Sequence, residues 1–570
     1  MLRKGIRRTS LVLTLFLVLA VAFAQVGLAA TILDEVTAEN GMVAAASPLA
    51  AQAGIEILQA GGNAVDAAVA AAFAITVAEP IASGLGGEGF LVIYDAQADR
   101  AVSIDYRSTA PAASVEGIGD GRMPGTGWKS FATPGTLAGL YMALEKYGTM
   151  TLAEVMAPAI KLAEEGFAIP ETLAGVINDN YEKLMNDPAM AAVYLDDMLP
   201  PEPGYILKNP DVAAVMKKIA EQGPDVFYRG EIGQMIVDAV QANDGYVTME
   251  DFENYRAILR WPARGSYRGY DIIAAGPPVG GATVVEALQI MESFDLPAMG
   301  YLDVESIHIR SEAIKLAYLD NRTHLSDPDF DYVPLYELLS KDYARERARR
   351  VNLERMTPRT ELVPGSFGVE KVAATGTEGP LYESPSTTHI SVIDKDRNMV
   401  ALTQTISSFF GAGVMPPGTG IVLNNEMANF SAIGAPVNSL EAGKRMKTQI
   451  APTLVLRDGS PFLTIGTPGA GRIVTTVISL LSAIIDYNMS LQEAIEAPRF
   501  YVRDNTDNFE CEDRFPADVL AALEAMGYPI VQRGSYDLYF GGAQGALVDF
   551  ERGLLVGGAD PRRDGAAIGY

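Results

Sequence analysis

Apolar and polar residues follow one another along the chain in patterns that predict both helices and strands. The segment SPLAAQAGIEILQAGG begins with Ser47 as a capping residue and Pro48 at the first helical position, and it ends at two glycines. These signals predict one helix. The segment after Asn63, AVDAAVAAAFAITVAEP, is apolar on nearly every side. A membrane span is possible for such a segment, but Asp66 and the Gly and Pro boundaries favour a helix buried in the core.

The middle of the chain changes from helical periodicity to an irregular linker. In residues 134–260 the apolar positions recur mostly with helical spacing, whereas residues 351–385 are rich in Gly, Pro, Ser and Thr. The linker has little apolar surface to bury, so we predict a loop there. The glycines within residues 83–96 precede a strand rather than follow one. That order argues against a nucleotide-binding loop and favours close backbone packing.

A β-hairpin is predicted immediately after the linker. The segments THISVID and NMVALTQTIS both alternate apolar and polar residues, and they flank the turn sequence DKDRN,. A symmetric hairpin about Asp396 places Thr387 opposite Thr405. Opposed residues have Cβ atoms about 5 Å apart, so the two hydroxyls can form a hydrogen bond. The alternative is that both threonines are present only because threonine suits a strand.

The linker before Thr387 favours a catalytic role for that residue. A threonine hydroxyl is a poor nucleophile unless a base accepts its proton, and the only histidines are His308, His324 and His389. No G-x-S-x-G motif accompanies them,. A chain cut before Thr387 would supply its own base, because a free α-amine has a pKa near 8. The sequence therefore predicts that Thr387 becomes a new N-terminus.

The composition excludes several classes of function. The chain has 570 residues, 48% of them hydrophobic, and a formal net charge of -27, which repels phosphate backbones and anionic lipid. We therefore expect no nucleic-acid partner. Cys511 is the only cysteine, so the fold needs a large packed core rather than an internal disulfide. The spacing of histidine and cysteine matches no metal site, and we predict neither a metal nor a cofactor.

The first 24 residues have the features of a secretory signal peptide. Basic residues precede an uninterrupted apolar run that ends at Ala22-Phe23-Ala24, a small-residue pattern typical of a cleavage site. A retained membrane anchor is the alternative, but the apolar run is slightly short for a span. We predict removal of residues 1–24, with a weaker cleavage option near Ala29, and a secreted or periplasmic protein.

Five further motifs lie in order along the chain: GGNAVDAAVA at 61–70, STTHISV around Thr387, GIVLNNEMANFS at 420–431, GTPGAGRI at 466–473 and DPRRDGAAIGY at 560–570. Together they resemble the motifs of γ-glutamyltranspeptidases, which are also called glutathione hydrolases. The resemblance extends from about residue 40 to residue 570. It implies an α+β fold, a four-layer αββα sandwich of the N-terminal nucleophile hydrolase type, which two autoprocessed segments build jointly. Cleavage between Ser386 and Thr387 would give a large subunit, 25–386, and a small catalytic subunit, 387–570.

The resemblance also implies the catalytic residues. Thr387 would be the nucleophile in both self-cleavage and turnover, and Thr405 matches a supporting threonine. Gly469 and Ala470 match a glycine pair whose backbone N–H groups form the oxyanion hole. Because these donors belong to the main chain, alanine at the second position need not abolish them. The acyl-enzyme would pass its acyl group to water or to the amine of an amino acid or peptide.

Two residues match those that hold the donor's amino-acid head group. Arg107 in DYRSTAP matches an arginine that binds the α-carboxylate, which suits a planar bidentate cation. Glu426 matches a residue that receives the α-ammonium group. Each could instead belong to an ordinary ion pair.

The sequence departs from the family pattern at several positions that affect substrate choice. Asn429 replaces the usual aspartate that binds the α-ammonium group, and Ser407 stands where asparagine is common. Thr448 and Gln449 replace a serine pair that contacts the α-carboxylate. The segment between Phe430 and Lys444 is short, which predicts a cleft without a lid. These changes weaken the expectation of strict γ-glutamyl preference.

Three functions follow from these observations. The first is a γ-glutamyltransferase that acts on glutathione or related amides, with a small-molecule γ-glutamyl donor and an amine acceptor or water as partners. The second keeps the chemistry but changes the donor, as in a cephalosporin side-chain acylase or a poly-γ-glutamate processing enzyme. The third is a non-catalytic exported binding protein, which would need neither the two threonines nor the linker.

Overall fold

The structure is a computed structural model that describes residues 35–119, 125–368 and 386–570. The predicted signal peptide, residues 1–24, and the part of the predicted linker at 369–385 lie outside the described residues. Across the described residues, no helix combines the length and apolar character needed to cross a membrane.

The described strands form two large sheets and two small ones. The first seven-stranded sheet has the order β1-β18-β17-β13-β12-β9-β8, and the second has the order β19-β2-β10-β11-β3-β4-β7. The strands are β1 Val36–Ala38, β2 Met42–Ala45, β3 Glu88–Asp95, β4 Arg100–Tyr106, β5 Phe167–Ala168, β6 Ile206–Leu207, β7 Ile258–Arg260, β8 Ala263–Tyr267, β9 Tyr270–Ala274, β10 Thr388–Ile393, β11 Met399–Thr405, β12 Thr453–Arg457, β13 Ser460–Gly466, β14 Phe500–Tyr501, β15 Phe509–Glu512, β16 Ile530–Arg533, β17 Gln544–Asp549, β18 Leu554–Ala559 and β19 Ala566–Gly569.

Helices cover the outer faces of the two large sheets. The described α-helices are α1 Pro48–Gln59, α2 Ala64–Ala78, α3 Ala112–Ile118, α4 Thr136–Tyr147, α5 Leu152–Glu165, α6 Glu171–Asp179, α7 Tyr181–Met185, α8 Pro188–Tyr194, α9 Pro210–Gln222, α10 Asp225–Tyr228, α11 Glu231–Ala242, α12 Met249–Asn254, α13 Gly281–Met291, α14 Val304–His324, α15 Leu335–Leu338, α16 Lys341–Ala348, α17 Arg472–Ile485, α18 Leu491–Glu496 and α19 Ala517–Ala525. Short 3-10 helices lie at Trp128–Ser130, Leu296–Ala298, Glu426–Asn429 and Leu538–Phe540.

The layers stack as helices, sheet, sheet and helices. Helices α1 and α2 pack on β2 and β10 of the second sheet, while α13 and α17 pack on β8, β9 and β13 of the first. Strand β10 in turn contacts β13 and β17 of the facing sheet. Both faces of the inner strands are therefore covered, which confirms the predicted αββα sandwich.

Strand β3 shows how the sequence produces two buried faces. Leu91 and Ile93 belong to the same apolar cluster as the residues of α2, whereas Phe90 and Val92 belong to the cluster of the facing sheet. Alternate side chains of a strand point to opposite faces. A run of apolar residues without alternation is therefore what a strand buried between two layers requires.

The two helices predicted near the N-terminal end form as expected, with one difference at a cap. Asn63 accepts hydrogen bonds from the backbone N–H groups of Val65 and Asp66, and every residue of α2 is buried. Ser47 occupies the capping position of α1, but its side chain makes no capping hydrogen bond. The start of α1 therefore rests on Pro48, whose fixed φ suits the first helical turn.

The predicted hairpin register is confirmed. Thr388 pairs with Gln404 and Ile393 pairs with Met399 between β10 and β11. This antiparallel register brings Thr387, just before β10, and Thr405, at the end of β11, together at the open end of the hairpin.

Candidate active site

Thr387 lies immediately before β10 and contacts Thr405 directly. The Thr387 hydroxyl donates a hydrogen bond to Oγ1 of Thr405, with 3.0 Å between the oxygens. Oγ1 of Thr405 also accepts a hydrogen bond from the backbone N–H of Ser407, at 2.9 Å. These two bonds fix the orientation of both hydroxyls. The alternative in which the two threonines are only good strand formers gives no reason for this contact.

The residue before Thr387 is also held in place. Ser386 is fully buried, and its hydroxyl donates to the backbone carbonyl of Ser407. Ser407 has a φ of 78°, a left-handed backbone conformation that turns the chain sharply after β11. The bond that the sequence predicts to break therefore lies between two anchored residues.

Thr387 opens onto a cleft in which most of the sequence-predicted residues meet. The cleft is lined by Thr387, Thr405, Ser407, Glu426, Asn429, Thr448, Gln449, Ile450, Ala470, Gly471 and Ile473. Ile450, Gly471 and Ile473 were not predicted. Three predicted site residues that the structure describes do not line the cleft, namely Arg107, Ser386 and Gly469.

Arg107 lies behind the cleft wall in a buried cluster of charges. Its side chain is fully buried and forms ion pairs with Glu88 and with Glu426, at 3.3 Å for the latter. Glu88 also accepts a hydrogen bond from the backbone N–H of Ser108 at 2.6 Å. One guanidinium therefore faces two carboxylates, and Glu426 lies between Arg107 and the cleft.

Asn429 extends this polar cluster to the cleft surface. Its side-chain amide donates to Oε2 of Glu426 at 2.7 Å and to the hydroxyl of Ser407 at 3.1 Å. Burial raises the pKa of Glu426, while Arg107 and Asn429 oppose that rise. An amide at position 429 can donate to the Glu426 carboxylate, whereas a carboxylate there would repel it.

The backbone turns sharply where the predicted oxyanion hole lies. Gly469 has a φ of 137° and Ala470 a φ of 49°, and the segment leads directly into α17. Ala470 and Gly471 line the cleft beside Thr387. Since the first main-chain N–H groups of an α-helix have no partner within the helix, this segment suits stabilisation of a developing negative charge.

The three histidines are engaged elsewhere. His389 lies between the hydroxyls of Thr403 and Ser391, at 2.8 and 3.0 Å, and burial lowers its pKa to about 3. His308 contacts the Tyr528 hydroxyl, and His324 contacts the carbonyl of Gly365. His389 is thus a neutral buried group held by two hydroxyls, two residues along the chain from Thr387.

Thr448 lines the cleft and carries a buried side-chain hydroxyl. Its Oγ1 has no hydrogen-bond partner among the described residues, whereas the neighbouring Gln449 side chain donates to Asn321 at 3.4 Å.

The predicted short segment after Phe430 is closed by a hydrogen bond from the Ser431 N–H to the carbonyl of Asn438. The Asn438 side chain then donates to the Asn429 carbonyl at 2.7 Å.

Sequence reasoning missed three charged residues around Thr387 and Arg107, namely Glu79, Glu88 and Arg563. Glu88 could have been found, because continuing the β3–β4 register beyond the Gly89–Tyr106 pair places it opposite Arg107. Arg563 lies in the DPRRDG motif, to which no role was given, and Glu79 follows α2 with no signal of its own.

Comparison with protein-family models gives one match over nearly the whole chain. A model described as gamma-glutamyltranspeptidase matches residues 50–570. The glutathione hydrolase proenzyme of Escherichia coli strain K12 is 37% identical over 564 residues, which cover 95% of this chain and 94% of that protein.

Acylases are also among the similar proteins. The acylase ACY 1 proenzyme of Pseudomonas sp. strain V22 is 39% identical over 546 residues, which cover 93% of this chain and 94% of that protein. A crystal structure of cephalosporin acylase from Bacillus halodurans has a TM-score of 0.85 and 30% identity, covering 94% of this chain and 97% of that one. Sequence and fold are therefore similar to enzymes named for two different donors.

Proposed function

Because this chain belongs to the gamma-glutamyltranspeptidase family, it is an enzyme, and we propose that Thr387 is the nucleophile with which it cuts itself and turns over substrate. The observation that supports this most directly is the 3.0 Å contact between the hydroxyls of Thr387 and Thr405 at the edge of the cleft. The matched relatives named as proenzymes agree with a precursor that is processed.

Self-cleavage would proceed by transfer of the Ser386 acyl group. The Thr387 hydroxyl oxygen attacks the carbonyl carbon of Ser386 and loses its proton, and the bond from that carbon to the Thr387 nitrogen breaks as the nitrogen gains that proton. Water then hydrolyses the ester, which leaves a carboxylate on Ser386 and a free amine on Thr387. The products are the large subunit 25–386 and the small subunit 387–570.

Turnover would use the amine that self-cleavage releases. The amine accepts the hydroxyl proton of Thr387 as the oxygen attacks the donor's amide carbon, and then gives it to the leaving amine. We assign the developing oxyanion to backbone N–H groups of the segment around Gly469, Ala470 and Gly471. Water or an acceptor amine then releases the acyl group.

The donor is a γ-glutamyl amide or an amide of the same length without the α-ammonium group. Glu426 at the cleft favours the ammonium, whereas Asn429 lacks the charge of a second carboxylate. We propose Thr448 and Arg107 for the α-carboxylate, Thr448 because it lines the cleft and its buried hydroxyl has no hydrogen-bond partner among the described residues. The similarity to acylases supports a glutaryl-type donor as the second candidate.

We also propose that the enzyme is exported, on the basis of its predicted signal peptide. Expression of the full chain followed by N-terminal sequencing of the large fragment tests this proposal. A start near residue 25 supports it, whereas a start at Met1 contradicts it. A denaturing gel of the same sample tests for the non-catalytic binding protein, which would remain a single uncut band.

Changing Asn429 to aspartate is expected to shift donor preference toward γ-glutamyl amides. The new carboxylate would lie beside Glu426, and a donor ammonium would relieve the repulsion between them. Hydrogen bonds to charged groups contribute about 1.5 to 3 kcal/mol, so we expect N429D to raise kcat/KM for a γ-glutamyl anilide about ten- to a hundredfold.

A glutaryl anilide is the matched control for N429D, because it lacks the ammonium group and gives the new carboxylate no partner. The ratio of the two kcat/KM values is therefore the measurement, taken on fully cleaved wild type and variant. An unchanged ratio would show that residue 429 does not contact the donor head group.

A further inference from the structure

The side chain of Arg563 contacts the backbone of Thr387, the proposed nucleophile. Its Nη1 atom donates a hydrogen bond to the carbonyl oxygen of Thr387 at 2.8 Å, and both residues are buried. Arg563 lies in the turn between β18 and β19, 176 residues away in sequence. A charged donor gives a stronger hydrogen bond than a neutral one, so this contact is well suited to hold the main chain at the reacting residue.

The backbone at Thr387 is in a conformation that needs such support. Its φ is 96°, in the left-handed region that a β-branched residue rarely adopts. Unfavourable backbone conformations persist only where the surrounding contacts hold them. The contacts here are the hydroxyl bond to Thr405 on the side chain and the Arg563 bond on the carbonyl.

Glu79 fixes the other side of the Arg563 guanidinium. Nε of Arg563 lies 2.6 Å from Oε1 of Glu79, and both side chains are nearly inaccessible to solvent. Glu79 is the residue immediately after α2, a helix buried along its whole length. Nε of this rigid guanidinium thus contacts the residue after α2, while Nη1 contacts the residue before β10. Lysine cannot reproduce this geometry, because its side chain has a single nitrogen.

The turn that carries Arg563 is itself rigidly held. Asp560 at its start accepts hydrogen bonds from the backbone N–H groups of Ala543 and Arg562, at 2.8 and 3.0 Å. Arg499 and Arg562 form buried ion pairs with the same carboxylate. The position of Arg563 is therefore set by the first sheet, and its side chain reaches across to the second.

We propose that the buried Glu79–Arg563 pair positions Thr387, holding its carbonyl so that the hydroxyl is aimed first at Ser386 and then at the donor. This inference rests on the proposed self-cleavage and turnover at Thr387. Arg563 does not reach the reacting atoms, and neither does Glu79, so both are positioning residues. Their loss should lower the rate constants more than it raises KM.

The pair also gives self-cleavage a distinctive pH dependence. Burial raises the pKa of Glu79 to about 7, and Asp564 adds to the rise, while Arg563 and the hydroxyl of Thr388 oppose it. Asp564 is itself held by Thr172 at 3.0 Å, with Glu171 nearby. Below pH 7 Glu79 becomes neutral and loses its charge attraction for Arg563, so cleavage should slow as the pH falls through 7. In the uncut chain the Thr387 nitrogen is an amide and cannot titrate there.

The test compares E79Q and R563K with the wild type and with a control variant, R268K. Arg268 forms an ion pair with Asp486, with 2.9 Å between Nε and Oδ1, and neither residue lines the cleft. Purified precursors are followed by gel for cleavage rate across pH 5.5 to 9, a range set around the titration of Glu79, and by thermal unfolding. Cleaved enzyme is assayed for kcat and KM. We expect E79Q and R563K to cleave at least about tenfold more slowly, with a similar loss in kcat.

The outcomes separate this inference from the function on which it rests. A wild-type small fragment that does not begin at Thr387 overturns the proposed function. If the wild-type small fragment does begin there, wild-type rates of cleavage and turnover in E79Q and R563K overturn only the positioning role. The positioning role is also overturned if the cleavage rate of E79Q still shows the inflection near pH 7. If R563K does not fold, R563A with added ethylguanidinium replaces it: restored cleavage supports the role, and no restoration overturns it.

Discussion

The Thr387→Ala variant is expected to remain a single uncut chain with no measurable turnover. Without the hydroxyl, no ester to Ser386 can form, and no free amine is released to act as the base. Loss of a nucleophile lowers kcat by about a millionfold in well-studied hydrolases, so the residual rate should not exceed the background reaction. Denaturing gels and an anilide assay measure the two effects on the same sample.

The control for this variant is Thr387→Ser, which keeps a hydroxyl and should still cleave itself. In wild type and T387S, N-terminal sequencing of the small fragment should begin at position 387 and continue Thr-His-Ile-Ser. Cleavage of T387A at the same bond, in protein made without host proteases, would contradict self-processing by Thr387. Wild-type turnover by T387A would contradict its role as the nucleophile.

The position of Thr387 beside Thr405 was predictable because it depends on local sequence. A short turn joins two alternating segments, so the register of β10 and β11 follows from symmetry about Asp396, and the 3.0 Å contact of Thr387 with Thr405 follows from the register. The buried helix α2 was predictable for a similar reason, since its composition leaves no face for solvent.

The charged groups that meet at Thr387 were not predictable in this way. Glu79, Thr387 and Arg563 come from three distant parts of the chain and meet only when the four layers assemble. No local periodicity encodes that meeting. A buried charge is retained only when it has partners, so charged residues in apolar surroundings can be identified from sequence, but their partners require the fold.

Arg107 shows a different limit, because the structure surrounds it with charges that the resemblance does not reveal. The resemblance assigns it to the donor's α-carboxylate, yet its side chain is fully buried and already faces Glu88 and Glu426. A donor carboxylate can reach it only if the Glu426 side chain gives way. The cluster carries one positive and two negative groups, so its charge also favours the donor's ammonium.

The Arg107→Met variant is expected to lose activity toward γ-glutamyl donors selectively. Removing one partner of a desolvated charge pair costs about 2 to 5 kcal/mol, or about thirty- to five-thousandfold in kcat/KM for a γ-glutamyl anilide. A 4-aminobutanoyl anilide has the same chain and ammonium but no α-carboxylate, so its kcat/KM should change much less. The measurement is the ratio of the two donors on cleaved enzyme.

Two further variants separate recognition of the donor from charge compensation inside the protein. R107M leaves Glu88 and Glu426 without their cation, whereas R107M combined with E88Q removes one charge of each sign and keeps the net charge of the cluster. R260M removes another largely buried arginine, which forms an ion pair with Asp105. The two charged groups are 2.6 Å apart, and neither residue lines the cleft. If Arg107 binds the α-carboxylate, the double variant keeps the altered donor ratio and R260M does not show it. If the double variant restores the wild-type ratio, Arg107 only compensates the two buried carboxylates, and another residue of the cleft must receive the donor carboxylate.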